Sequence, residues 1–72
     1  MAIKRKSYKP GQLVKSLVEE CDGWGVDYKW VYGIVISDSP SNIHLSKNFY
    51  LQVLWLQEYK IVNTRRDNVF SL

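Results

Sequence analysis

The chain has 72 residues, 46% of them hydrophobic and 14% aromatic, which excludes a disordered segment and allows one small domain that buries only about 60% of its unfolded surface. Its one cysteine, Cys21, excludes an intrachain disulfide and a cysteine-based zinc site, and no apolar run approaches the roughly 18 residues of a membrane span. The net charge of +3 is unevenly spread: residues 1–15 carry +5, residues 16–40 carry −4 and residues 41–72 carry +2.

Residues 1–8 form a basic arm with Lys4, Arg5 and Lys6. No apolar stretch follows it, so it is not a secretory signal, and a reduced, soluble, intracellular domain is expected. Such an arm either neutralises phosphates, pairs with an acidic protein surface or is simply solvated. Pro10-Gly11 ends the arm, because proline presets φ for a turn and glycine accepts positive φ. Gln12 to Val18 then alternates as a strand, with Val14, Ser16 and Val18 on one face and Leu13, Lys15 and Leu17 on the other. Glu19 to Lys29, with Asp22-Gly23 and Gly25, is expected to be a long loop.

Trp30 to Ser37 is dense in β-branched and aromatic residues and is the clearest strand. Gly33 within it marks a bend or a close backbone approach. Residues 38–42 are a turn cluster, and Ile43-His44-Leu45 is either a short extended piece or a loop that packs down. Phe49 to Leu56 is the next strand, with Leu51, Val53 and Trp55 expected inward. Gln57 to Lys60 connects it as a hairpin to Ile61–Thr64. Arg65 to Asn68 reads as one tight helical turn, and Val69 to Leu72 as a last short strand. The fold class expected is all-β, a small five-stranded barrel with a short helical turn before the last strand. Closure removes sheet edges that would otherwise invite aggregation; the rival is an open antiparallel meander.

The succession K-P-G-Q-L-V-K at 9–15, Y-G-I-V-I at 32–36, L-Q-V-L-W at 51–55 and D-N-V-F-S-L at 67–72 resembles the small stand-alone SH3-like barrels encoded by tailed bacteriophages. The likeness covers residues 9–72, so the expected organisation is an arm over 1–8 and a barrel over 9–72. Its motifs are turn glycines and core valines, which specify a fold and not a partner. Gln12 stands where that pattern has an acid, and Leu56 and Tyr59 make the late hairpin unusually apolar. The acidic-aromatic run of eukaryotic proline-binding domains is missing, so polyproline recognition is not implied.

Residue chemistry does not suggest an enzyme. His44 has no placed partner for general-base work. Cys21 lies among Glu19, Glu20 and Asp22, which raise a thiol pKa and disfavour a reactive thiolate. The acids of residues 19–29 lack the regular spacing of a calcium loop. No cofactor, metal or small-molecule substrate is expected, and no membrane partner.

The aromatics are more informative, because Trp24, Tyr28, Trp30, Tyr32 and Tyr59 cannot all be buried in so small a domain when each removes about 150–250 Å² from water. Exposed Trp and Tyr anchor protein interfaces and also stack on bases. The expected interaction residues are Trp24, Tyr28, Trp30 and Tyr59, with Lys4, Arg5, Lys6, Arg65 and Arg66 as the charged set. The expected function is a non-catalytic protein-interaction module, self-associating or docking on another protein. The resemblance adds a setting: a structural or accessory protein of a phage particle, in the host cytoplasm or the virion. The alternatives are a nucleic-acid-binding barrel that uses the basic arm with exposed aromatics, and a phage inhibitor of a host protein.

Overall fold

A computed structural model describes residues 7–72; the arm residues Lys4, Arg5 and Lys6 lie outside the described residues. Five strands, β1 (Leu13–Cys21), β2 (Val26–Ser37), β3 (Tyr50–Trp55), β4 (Lys60–Arg65) and β5 (Phe70–Ser71), form one open antiparallel sheet in the order β4-β3-β2-β1-β5. A single 3-10 turn, Arg66–Asn68, precedes β5. The all-β class is therefore as the sequence predicts, with β4 and β5 as the two edges of the sheet.

The turn into β1 is built by Pro10-Gly11. Gln12 N donates to Lys9 O at 3.0 Å, and Gly11 sits at φ +88°, the positive φ that a type II turn demands at its third residue. From there β1 and β2 pair without interruption from Leu13↔Ile34 to Cys21↔Val26. This corrects the loop expected over residues 19–29, which is a two-stranded ribbon closed by only residues 22–25. Asp22 Oδ1 accepts the Trp24 amide at 2.9 Å, and Gly23 supplies φ +88° for the reversal. Along the ribbon the Lys29 ammonium lies 2.5 Å from the Glu20 carboxylate, so the acids that suggested a loop are tolerated on solvated strands.

Gly33 shows why a side chain is excluded at the centre of β2. A Cβ there would lie 2.6 Å from Val53 Cγ1, 2.8 Å from Trp55 Cε3 and 2.9 Å from Leu54 O. Beyond it, a bulge between Val35 and Ser37 adds a residue to β2 and bends the strand. Ile43-His44-Leu45 belongs to a loop, held by Ser41 and Asn63 and by Gln52 Nε2 donating to Ser39 O at 3.0 Å.

The core lies on one face of the sheet and is made by Tyr8, Val14, Val35, Leu51, Val53 and Val69, with Trp55 packed against it. Leu51, Val53 and Trp55 point inward as expected from their period-two spacing. Tyr8 was assigned to the arm by sequence. It is instead buried, and its hydroxyl donates to Val69 O at 2.8 Å. Burial pushes the Tyr8 phenol up from its ordinary pKa; the Arg66 charge opposes this and the Asp38 charge adds to it.

Arg66 is also buried. Its Nε and Nη2 donate to Lys47 O at 2.9 and 2.7 Å, while Nη1 and Nη2 reach the carboxylate and carbonyl oxygens of Asp38. This one side chain ties the start of the 38–49 loop to its end, and both to the turn before β5. The sequence-based assignment of Arg66 as a phosphate or partner contact is thereby corrected. A cation placed at the mouth of a small core is held by the carbonyls it satisfies.

Candidate interaction surface

Residues paired across an antiparallel ladder project to the same face. The rows Leu13–Ile34, Lys15–Tyr32, Leu17–Trp30, Glu19–Tyr28 and Cys21–Val26 alternate with the core-facing rows and therefore occupy the outer face. Phe70 joins the row of Lys15 from β5. A single-layer sheet of this length has side chains for one buried face only. The other keeps its apolar groups in water: Leu17 is 47%, Trp30 42%, Tyr32 49% and Tyr28 64% exposed.

The outer residues make specific contacts with one another. Trp30 and Phe70 meet edge to face, with ring centroids 5.9 Å apart and planes at 87°. The Lys15 ammonium lies 4.3 Å from the centroid of the Trp30 ring, a cation–π distance. Together Lys15, Leu17, Tyr32, Trp30, Tyr28 and Phe70 form one continuous aromatic strip along the ribbon.

The aromatic residues anticipated from sequence fall in three places. Tyr28 and Trp30 lie in the strip. Trp24 stands at the ribbon's tip, 96% exposed. Tyr59 is in the β3–β4 turn, 80% exposed and held at φ +54°, so it presents its ring from a different corner. Arg65 is exposed but forms a two-pronged pair with Asp67 at 3.2 and 3.3 Å, which holds its guanidinium further toward the charged form. Lys15 and Phe70 were not singled out by sequence, and Tyr32 was counted among the surplus aromatics but not among the interaction residues. The alternation V-x-Y-x-W-x-Y-x-I over residues 26–34 was the signal that could have found Tyr32, had the glycines at 23 and 25 not outweighed it.

On the core side, an open cleft of about 370 Å³ runs between the β1–β2 ribbon and the β3–β4 hairpin, lined by Ser16, Val18, Val31, Trp55, Val62 and Thr64 among others. Trp55 Nε1 donates to Thr64 Oγ1 at 3.1 Å along its wall. Among the described residues no His, Cys, Asp and Glu side chains gather into a group that could hold a metal ion. His44 and Cys21 are both exposed, on the 38–49 loop and at the end of the ribbon. No helix of the described residues is long and apolar enough to cross a membrane.

The chain matches no protein-family model, no curated protein and no solved structure.

Proposed function

We propose that the chain is a non-catalytic protein-interaction module on an SH3-like small barrel, acting as a structural or accessory component of a phage particle or of a phage complex in the host cytoplasm. The observation that carries the interaction role is the outer strip. About half of the side-chain surface of Leu17, Tyr28, Trp30, Tyr32 and Phe70 is left in water, on the face opposite the core. Contiguous apolar surface of this kind marks interaction sites in soluble proteins, and Trp and Tyr dominate the energetics of interfaces.

The barrel reading is supported by the connection between the edge strands. Four strand spacings of about 4.8 Å would put the edges of a flat sheet about 19 Å apart. Five residue steps from Arg65 to Phe70 reach at most about 18 Å when fully extended, and a 3-10 turn shortens them further. A connection this short favours a sheet that curls around its core over a flat one. The phage setting rests on the resemblance of the strand motifs alone.

Nucleic-acid binding is the second reading, favoured by Lys15 lying among ring faces that could stack on bases. It is weakened by the burial of Arg66 and by Glu19, Glu20 and Asp27 on the same ribbon.

Replacing Tyr32 with a photo-crosslinking benzophenone residue in producing cells separates these readings. The interaction role expects protein adducts from position 32. Nucleic-acid adducts alone move the assignment to the second reading, and the absence of any adduct removes the surface from consideration.

A further inference from the structure

The outer face of the ribbon is nearly palindromic. Along β2 the outward residues run Val26, Tyr28, Trp30, Tyr32, Ile34: apolar, tyrosine, tryptophan, tyrosine, apolar. Along β1, Leu17 is paired with the central Trp30, with Lys15 one row to one side and Glu19 one row to the other. Reversing the ribbon end for end therefore lays aromatic on aromatic and exchanges the cation with the anion.

Resting on the interaction role above, we propose that the occupant of this face is a second copy of the same chain, in a two-fold dimer. Its axis lies between the two sheets and follows the Leu17–Trp30 row. Rotation about it places Leu17 on Leu17 of the second copy, Trp30 on Trp30 and Tyr32 on Tyr28. Lys15 falls opposite Glu19 of the second copy, and Glu19 opposite its Lys15. An isologous interface requires a self-complementary patch, and this row order supplies one in both shape class and charge. Within the chain, Glu19 and Lys15 lie on the same strand face separated by Leu17; the Lys15 ammonium rests over the Trp30 ring beside the axis, and the ribbon's ion pair uses Glu20 and Lys29.

The area is also of the right size. Leu13, Leu17, Tyr28, Trp30 and Tyr32 are 42–64% exposed; at about 200 Å² for a fully exposed side chain of this kind, they and Val26 present roughly 600 Å². A standard interface takes about 800 Å² from each partner. Packing apolar rows about 10 Å apart, face to face, is the geometry of aligned sheets.

The test is molar mass by light scattering and sedimentation between about 1 and 500 μM, on the full chain and three charge variants. The unaltered chain is expected to reach twice its 8.5 kDa. Lys15→Glu and Glu19→Lys each set like charges against one another and should weaken dimerisation at least tenfold, with the melting profile retained. The double variant Lys15→Glu/Glu19→Lys restores the pairing in reverse and should return the dissociation constant to within about threefold. A chain that stays monomeric throughout overturns the dimer, as does a dimer indifferent to the single changes or one in which the double change is merely additive. Protein adducts from position 32 that are exclusively to a different chain would also overturn it, while leaving the interaction role intact.

Discussion

Replacing Arg66 with methionine tests the account of how the domain is held together. The guanidinium is 5% exposed and its partner Asp38 25% exposed, and the same group satisfies the carbonyls of Lys47 and Asp38. Methionine preserves much of the aliphatic length but removes every donor. Breaking a buried pair from one side costs about 3–5 kcal/mol. Partial hydration of Asp38 favours the lower end, about 3 kcal/mol. A chain of this length has about 4–11 kcal/mol of total stability, so the variant forfeits a large share of it. At about 4–8 °C per kcal/mol for a small domain, the melting temperature should fall by about 12–24 °C. Thermal and urea melts followed by tryptophan fluorescence measure this. The companion variant Asp38→Asn leaves the buried cation without its counter-charge and should cost a similar amount. Asp38 Oδ1 also accepts the Tyr8 amide at 3.4 Å, and Asn keeps that acceptor, so the pair of changes should cost about as much as either alone, giving a coupling energy of about 2–3 kcal/mol. A fall of under 4 °C in Arg66→Met, or strict additivity in the cycle, would refute the clamp and return Arg66 to the surface role its sequence context suggests.

Gly33→Ala should cost about 1–3 kcal/mol, as overpacking does, because Leu54 O at 2.9 Å is backbone and has little freedom to yield; an unchanged urea midpoint would contradict the register of β2 on β3. Tyr8→Phe should cost about 0.5–1.5 kcal/mol for the hydrogen bond to Val69 O, measured at pH 7 by chemical denaturation. The Tyr8 phenol is raised in the folded state, so its protonated form is the one folding favours. Its contribution is complete below the unfolded pKa near 10 and is lost as pH rises through the folded value. Alkaline melts above about pH 10 should therefore be steeper in the parent than in Tyr8→Phe, and identical slopes would count against that assignment. Trp24→Ala should leave stability within about 0.5 kcal/mol, as for a surface change, since the side chain is 96% exposed; a loss of about 3 kcal/mol or more would place the indole in the core.

Local pattern determined the strand segments. The period-two burial of Val14 and Ser16, of Leu51 and Val53, and the turns at Pro10-Gly11 and Arg66–Asn68 follow from side-chain alternation and from the φ preferences of proline and glycine. The surplus of aromatics over what a small core can hold was likewise a matter of counting, and it required some of Trp24, Tyr28, Trp30, Tyr32 and Tyr59 to stay in water without saying which. Pairing decided the rest. Residues 19–29 looked like a loop because acids and glycines are poor strand formers in isolation, yet a partner strand in register makes a ribbon of them. Arg66 and Tyr8 looked like surface residues because only the approach of Asp38, Lys47 and Val69, 28, 19 and 61 positions away in sequence, encloses them. The order of Lys15 and Glu19 about Leu17 is plain in the sequence, but its meaning as a two-fold pattern exists only once β2 lies alongside with Trp30 in the same row. Burial and face symmetry are properties of cross-strand register, which long-range contacts set and local propensity does not.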